Sequence, residues 1–186
     1  MSIINVVGAK IWGGGEQYVY DICKQLQQRH RTAYILVDQS NEDMQSRYAQ
    51  VGHVMTANLY TLKGFLSVNA VAKQMKEQGI NTIVCHSGKY ILFCIALKQL
   101  TGAKLVFIKH NLVPGKTDIY HRWINAQVDA FVCVSKLVYD DLMTPAIKDT
   151  SKYHVVYNGI DPNRFQSFSD TVPMKYKVRT FGYSAR

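Results

Sequence analysis

Apolar residues in this chain form short continuous runs that alternate with longer segments of helical periodicity. The first run, residues 3–7, stops at Gly8 and predicts a buried strand. Three glycines, Gly13 to Gly15, come next, and from Val19 to Leu26 the apolar residues recur at i, i+3, i+4 and i+7. This spacing places them on one face of a helix over residues 15–30.

The same alternation of strand and helix continues along the chain. Because the strand segments are continuously apolar, they are typical of a parallel sheet covered by helices on both faces. The sequence therefore predicts an α/β fold, a doubly wound Rossmann-like parallel sheet of about seven strands. Further strands are predicted over residues 33–37, 53–56, 82–85, 104–108, 130–134, 154–157 and 178–181, and further helices over 41–49, 61–78, 89–100, 118–127 and 136–143.

Composition and charge narrow the classes of partner. The chain has 186 residues, of which 47% are hydrophobic, which suits one well-buried domain and excludes a disordered composition. The formal net charge of +9 favours an anionic partner such as a nucleotide or an anionic lipid. The positive residues are dispersed and form no long basic run, so we expect no nucleic-acid partner.

Cysteine usage and hydropathy bear on the compartment. Four cysteines lie among apolar neighbours without any C-x-x-C pair: Cys23, Cys85, Cys94 and Cys133. This pattern is typical of buried, reduced thiols and favours the cytoplasm. No signal peptide is evident, and the longest apolar run, residues 90–97, is too short to span a bilayer. We expect a cytoplasmic protein that associates peripherally with the inner face of the cell membrane.

The predicted strand ends carry the candidate chemistry. In a doubly wound sheet, the ligand binds outside the carboxyl ends of the strands, where this chain places Gly13 to Gly15, His86 and His110. Glycine allows a positive φ and a close approach of a ligand, and the helix that follows directs unpaired N–H groups at the same point. The pattern predicts a ligand cleft; the alternatives are a tight turn without a ligand and two structural histidines.

Several catalytic motifs are absent. Gly8 and Gly13 have the separation of a P-loop, but Gly14 and Gly15 stand where that motif requires Lys and Ser or Thr. The sequence also lacks G-x-G-x-x-G, H-E-x-x-H, D-x-D and G-x-S-x-G, and no His/Cys spacing suits zinc. We therefore expect no metal site.

Three segments of the chain form a recognisable set. They are Gly14-Gly15-Glu16 at a helix start, Val132-Cys133-Val134-Ser135 followed by Leu142, and Val156-Tyr157-Asn158-Gly159-Ile160-Asp161 with Arg164-Phe165. Together these segments resemble the family 4 retaining glycosyltransferases, whose GT-B fold sets two Rossmann-like domains across a cleft. The resemblance implies that residues 1–170 are the amino-terminal, acceptor-side domain, and that residues 171–186 are the linker and first strand of a donor-binding domain.

The resemblance implies roles on the donor side. The amides of Gly14 and Gly15 would approach the donor diphosphate or its sugar, and Arg186 matches a phosphate-binding arginine. His110 matches the catalytic-site histidine that contacts the donor sugar near the reacting centre. The charge of Glu16 opposes a phosphate, which shifts the expected role of the loop toward the sugar and the acceptor.

On the acceptor side, the resemblance implies a contact from His86. Lys89 and Arg122 are further candidate acceptor contacts, for which the alternative is a solvated helix surface. Ser135 is interpreted as a helix cap.

The implied function is transfer of a hexose from a nucleotide-sugar, a substrate rather than a cofactor, to a hydroxyl of a cell-envelope glycan or glycolipid such as lipopolysaccharide. Configuration would be retained, no metal would be needed, and the chain alone would lack turnover. The alternative is a non-catalytic acceptor- or membrane-binding half of a two-chain glycosyltransferase.

Overall fold

A seven-stranded parallel sheet forms the centre of the molecule in the computed structural model, which describes residues 2–59, 64–143, 147 and 150–159. The strands are β1 Ile3–Val7, β2 Ala33–Asp38, β3 His53–Ala57, β4 Thr82–Cys85, β5 Lys104–Lys109, β6 Ala130–Cys133 and β7 Tyr153–Val155. The helices are α1 Gly14–Gln28, α2 Glu42–Tyr48, α3 Gly64–Glu77, α4 Ile91–Thr101, α5 Ile119–Gln127 and α6 Lys136–Leu142.

The strand order, β3-β2-β1-β4-β5-β6-β7, contains one reversal. The chain builds outward from β1 through β2 and β3, and then returns to add β4 on the other side of β1. Such a reversal leaves a crevice at the carboxyl ends of the two central strands, where ligands of doubly wound folds bind. Val6 of β1 pairs with Cys85 of β4, so the loops that follow these strands start at nearly the same level of the sheet.

Hydrophobic residues cover both faces of the sheet, as predicted for a doubly wound fold. Alternate residues of β1 point to opposite faces. Ile4 and Val6 belong to the cluster that contains α3 and α4, whereas Val7 packs in a second cluster with α1 and α2. Both faces of the central strands are therefore dry, which accounts for their apolar sequence apart from Asn5 in β1 and Thr82 in β4.

The strand predictions within the described residues are confirmed, with ends shifted by one or two residues. The helix predicted over residues 89–100 is the main difference, because it begins with a 3-10 turn at Gly88–Tyr90 before α4 starts. Ser87 stabilises this turn by accepting a hydrogen bond from the Lys89 N–H at 3.3 Å. The start of the predicted helix 61–78 and the predicted strand 178–181 lie outside the described residues.

Side-chain caps fix the starts of three helices near the carboxyl edge. Asn41, Asp118 and Ser135 each accept a hydrogen bond from an N–H in the first turn of α2, α5 and α6, respectively. The interpretation of Ser135 as a cap is confirmed. Of the two candidate caps for α2, Asn41 is used, because the Ser40 hydroxyl donates to Asp38 instead.

Candidate active site

Three loops meet at the carboxyl edge of the sheet. They are the glycine loop, residues 8–15 after β1, the turn after β4 that carries His86, and the turn after β5 that carries His110. The two imidazole rings are stacked, with centroids 5.4 Å apart and planes inclined by 23°. His86 Nδ1 lies 3.1 Å from His110 Nε2. The structure therefore places the two predicted histidines in direct hydrogen-bond contact beside the crevice.

Helix α1 packs against this histidine pair through Tyr18, one turn from the start of the helix. The Tyr18 ring meets both imidazoles edge-on, with centroid distances of 5.3 Å to His110 and 6.2 Å to His86. Burial raises the pKa of the Tyr18 phenol, so the phenol is neutral at physiological pH. The glycine loop and the histidines thus form one structural unit, because the helix that starts at the loop contacts both rings.

Asn5 extends the unit into the core and was not predicted from the sequence. Its side chain is only 3% exposed. The amide oxygen Oδ1 lies 3.1 Å from His86 Nε2, and the amide nitrogen Nδ2 donates to the Cys23 thiol of α1 at 3.8 Å. A signal was present in the sequence, since Asn5 is the single polar residue of the otherwise apolar strand β1.

Both histidines are uncharged at neutral pH. Burial, and secondarily the adjacent ring of His110, lowers the pKa of His86 from 6.5 to about 3. Burial also lowers the pKa of His110. A neutral pair of this kind cannot neutralise a phosphate, but it can donate and accept hydrogen bonds, which suits contacts with hydroxyl groups.

The glycine loop provides space rather than an unusual backbone. Gly13 caps α1 with an extended conformation, and Gly14 and Gly15 are the first two helical residues. Neither helical glycine has a positive φ, so the conformational freedom that glycine allows is not used at these two residues. A Cβ at either one would meet nothing within 4 Å. Their N–H groups belong to the first turn of α1, where no intrahelical acceptor exists.

Hydrogen bonds from α2 hold the glycine loop in place. Asn41 donates to the Ala9 carbonyl at 2.9 Å, and the buried Tyr48 hydroxyl donates to the Glu16 carbonyl at 3.0 Å. Burial, and secondarily the negative charge of Glu16, raises the pKa of the Tyr48 phenol. The position of the loop is therefore set by the second layer of helices as well as by β1.

A small open pocket lies beside the loop on its α2 side. It has a volume of about 220 Å³ and is lined by Trp12, Gln17, Tyr20, Arg47 and Gln50. The Arg47 guanidinium stacks over the indole of Trp12 at 4.9 Å, and the Trp12 N–H donates to Gln17 at 3.2 Å. The polar groups of this pocket are thus already engaged with one another.

The remaining predicted site residues are more dispersed. Lys89 is exposed in the turn before α4, and Arg122 is exposed on α5. Among the described residues, no hydrogen bond or ion pair joins either side chain to the histidine pair. Arg186, like Asp161, Arg164 and Phe165, lies outside the described residues.

Three further findings concern metals, cysteines and membranes. Over the described ranges, no group of three or more His, Cys, Asp or Glu side chains is arranged to hold a metal ion. All four cysteines are buried free thiols. Of the helices in the described part of the chain, none combines the length and the apolar character that crossing a bilayer requires.

The fold and the site define a class. The sheet order, its reversal between β1 and β4 and the loops at that edge are those of one Rossmann-like half of a GT-B glycosyltransferase. The sequence profile of Glycosyltransferase Family 4 matches residues 12–164, and the chain belongs to that family. No curated protein sequence matches the chain significantly.

Solved structures share the fold at low sequence identity. A glycosyltransferase from Rickettsia africae ESF-5 matches with a TM-score of 0.73 and 18% identity over 89% of this chain and 45% of that one. Anabaena Alr3699/HepE, in complex with UDP and glucose, matches with a TM-score of 0.68 and 18% identity over 89% and 46%. The lipopolysaccharide outer core galactosyltransferase WaaB matches with a TM-score of 0.60 and 14% identity over 86% and 46%. The chain thus spans slightly less than half the length of these structures.

Proposed function

We propose that this chain is the acceptor-side half of a retaining glycosyltransferase that transfers a hexose from a nucleotide-sugar to a hydroxyl of a cell-envelope glycan or glycolipid. Membership of Glycosyltransferase Family 4 supports the reaction class. The structural similarity to HepE with UDP and glucose supports a nucleotide-sugar donor, and the similarity to WaaB supports a lipopolysaccharide-type acceptor.

The observation that carries the proposal is the neutral histidine pair next to the start of α1. In the transfer reaction, the bond from the anomeric carbon to the diphosphate oxygen breaks, a bond to the acceptor oxygen forms, and the acceptor hydroxyl passes its proton to the departing diphosphate oxygen. His110 holds a sugar hydroxyl at the crevice by a hydrogen bond, so that the anomeric carbon is placed for attack. His86 faces the acceptor side and supports His110 through the 3.1 Å contact.

The glycine loop serves the sugar and the acceptor in this proposal. A Cβ at Gly14 or Gly15 would meet no atom within 4 Å, and in this proposal a pyranose ring approaches the first-turn amides there. Glu16 adds a negative charge to that turn, which disfavours a phosphate but can accept hydrogen bonds from sugar hydroxyls. The nucleoside diphosphate is then bound by a second Rossmann-like domain, whose cationic groups and helix-end amides stabilise the charge of the leaving group without a metal.

The test of the function is transfer from UDP-glucose to a lipopolysaccharide or glycolipid acceptor by a protein that contains both halves. Product formation with retained anomeric configuration supports the proposal. His110→Ala should lower turnover at least about a hundredfold, because a misplaced reacting sugar costs that much, whereas the exposed His154→Ala should leave it unchanged. Equal turnover of His110→Ala and wild type would remove the role given to His110.

The chain by itself should bind an acceptor without turnover. If residues 171–186 lead into a donor-binding domain, transfer requires that domain on the same chain; if a separate chain supplies it, mixing the two chains restores transfer. Transfer by the 186-residue chain alone would refute the proposal that this chain binds the acceptor and that a second domain binds the nucleoside diphosphate. Acceptor binding without transfer in every combination would favour the non-catalytic alternative.

A specific surface favours peripheral membrane binding as an additional property. Five large apolar side chains between β5 and the end of α5 are strongly exposed, including Ile119 at 85% and Trp123 at 48%. Lys116 and Arg122 are exposed among them. Apolar and aromatic side chains with neighbouring cations suit the interface of an anionic bilayer. The five residues are Leu112, Val113, Ile119, Tyr120 and Trp123.

Co-sedimentation with vesicles tests this surface. We expect salt-sensitive binding to vesicles of anionic phospholipid and little binding to phosphatidylcholine vesicles. Ile119→Ser and Trp123→Ser should each weaken the binding, whereas Leu66→Ser, which removes an equally exposed apolar side chain on α3, should not. If Leu66→Ser weakens binding and the other two variants do not, the membrane surface is α3 instead.

A further inference from the structure

We propose that Asn5 is a positioning residue that fixes the tautomers of both histidines, so that His110 presents an unprotonated Nδ1 and the site selects a hydroxyl group. The structural basis is a continuous chain of contacts from Cys23 through Asn5 and His86 to His110. The identity of the ligand rests on the proposed function, whereas the tautomers do not.

The first link is the orientation of the buried Asn5 amide. Its Nδ2 group points at the Cys23 thiol, and its Oδ1 faces His86 Nε2 at 3.1 Å. An amide oxygen can only accept a hydrogen bond, so the proton must lie on His86 Nε2. Asn5 is 3% exposed and lies in the middle of β1, so its amide is largely shielded from water.

The second link transfers the constraint to His110. A neutral imidazole carries one proton, and His86 is neutral because burial holds its pKa at about 3. With Nε2 protonated, His86 Nδ1 is an acceptor, and the nitrogen that faces it at 3.1 Å, His110 Nε2, must donate. His110 is also neutral, since burial lowers its pKa, so its second nitrogen, Nδ1, carries a lone pair.

The third link is chemical selectivity. Among the described residues, none donates a hydrogen bond to His110 Nδ1, and the His110 side chain is partly exposed at the crevice. A lone pair at this position attracts a hydroxyl or amide donor and repels a carboxylate or phosphate oxygen. The site therefore fits a neutral sugar hydroxyl and disfavours the carboxylate of a uronic acid at the same point.

An aspartate at position 5 would reverse the arrangement with almost the same shape. A buried carboxylate next to His86 raises the pKa of that histidine and favours the imidazolium, which is protonated on both nitrogens. His86 Nδ1 then donates to His110 Nε2, and the proton of the neutral His110 moves to Nδ1. The neutral amide of asparagine therefore determines which nitrogen of His110 carries the lone pair.

Two-bond ¹H–¹⁵N correlation spectra of the 186-residue chain labelled with ¹⁵N-histidine test the inference at about pH 7.5. We expect Nε2-protonated neutral tautomers for both His86 and His110. An Nδ1-protonated His110 in the wild-type chain would overturn the proposal, because it would mean that the Asn5 amide is turned the other way. This measurement requires no variant and no activity.

Variants then test the role of Asn5. Asn5→Asp should raise the titration midpoint of His86 by more than one pH unit, and at pH values below that midpoint His110 should shift to the Nδ1-protonated tautomer. Asn81→Asp, which adds the same charge at the opposite edge of the sheet, should change neither. If Asn5→Asp does not fold, Asn5→Ala should release His86 and average its two tautomers, and unchanged tautomers in Asn5→Ala would refute the proposal. The expected tautomers, together with no sugar transfer by a protein that contains both halves, would refute the proposed function alone.

Discussion

Acidification should begin to lower the free energy of unfolding of this protein at a pH well above the range in which its carboxylates are protonated. The reason is His86, whose pKa is lowered from 6.5 to about 3 in the folded protein by burial and by the neighbouring His110. A histidine with a lowered folded pKa stabilises the fold fully above its unfolded pKa. That contribution is lost as the pH falls from about 6.5 toward the folded value, because the unfolded chain binds the proton more tightly.

The expected magnitude follows from the separation of the two pKa values. At about pH 7.5 His86 is neutral in both the folded and the unfolded state, so its protonation does not change the free energy of unfolding. At about pH 5 it is protonated only in the unfolded state, and the free energy of unfolding falls by roughly 2 kcal/mol, about 1.4 kcal/mol for each pH unit below the unfolded pKa. Hydrogen bonds hold the pKa values of Asp38 and Asp129 below 3.8 despite their burial, so these carboxylates respond at more acidic pH.

Urea unfolding at these two pH values measures the effect. Wild-type protein should lose roughly 2 kcal/mol on acidification through His86, with an additional loss from His110 in the same direction. His86→Gln retains an amide that can contact Asn5 but does not titrate, so the loss should shrink by that amount. His154→Gln removes an exposed histidine and should follow the wild type. Equal losses in wild type and His86→Gln would refute the burial argument.

Three further predictions concern stability and the glycine loop. Gly15→Ala should leave the fold intact or stabilise it by up to about 1 kcal/mol in thermal unfolding, because alanine favours the helix, while transfer by the two-domain enzyme falls roughly tenfold or more. Asp38→Asn should cost about 1–3 kcal/mol in urea unfolding, since the buried carboxylate accepts from the Leu59 N–H at 2.9 Å; Asp43→Asn, in an exposed ion pair, should cost less than about 1 kcal/mol. Gly102→Ala should lower stability by about 1 kcal/mol, because Gly102 ends α4 with a φ of 72°.

Each of these three has an outcome that would contradict its reasoning. A destabilised Gly15→Ala would mean that the space around the loop is filled. If Asp38→Asn and Asp43→Asn lower the free energy of unfolding equally, the hydrogen bond between Asp38 of β2 and the segment after β3 does not stabilise the fold. If Gly102→Ala is as stable as Gly88→Ala, which changes a glycine without a positive φ, the left-handed cap of α4 is not strained by a side chain.

The arrangement of strands and helices was accessible from the sequence because burial on both faces leaves a strong pattern. Strands such as β2 and β4 are almost fully buried, so nearly all of their residues are apolar and each run ends at a polar residue. Helix α4 was harder to delimit. Its flanking turn at Gly88–Tyr90 depends on the Ser87 side chain, a local competition that periodicity does not reveal.

Only part of the candidate site could be predicted from the sequence. His86 and His110 could be placed at neighbouring strand ends from topology alone, but their contact depends on ring orientations that no spacing encodes. Asn5 was overlooked because a single polar residue in an apolar strand is usually tolerated without meaning. Its role becomes visible only when α1 brings Cys23 to one side of the amide and β4 brings His86 to the other.

The ring of Trp12 against Arg47 and Tyr48 gives the protein a built-in optical probe. The chain has two tryptophans, Trp12 at the glycine loop and Trp123 on the exposed apolar surface of α5. Trp123→Phe leaves Trp12 as the single emitter, whose intensity reports on movement of the guanidinium 4.9 Å away and hence on the loop. In Trp12→Phe, Trp123 is the single emitter, and its fluorescence reports on contact with lipid. Sugar capture and bilayer contact can thus be followed separately, by intrinsic fluorescence and without a label.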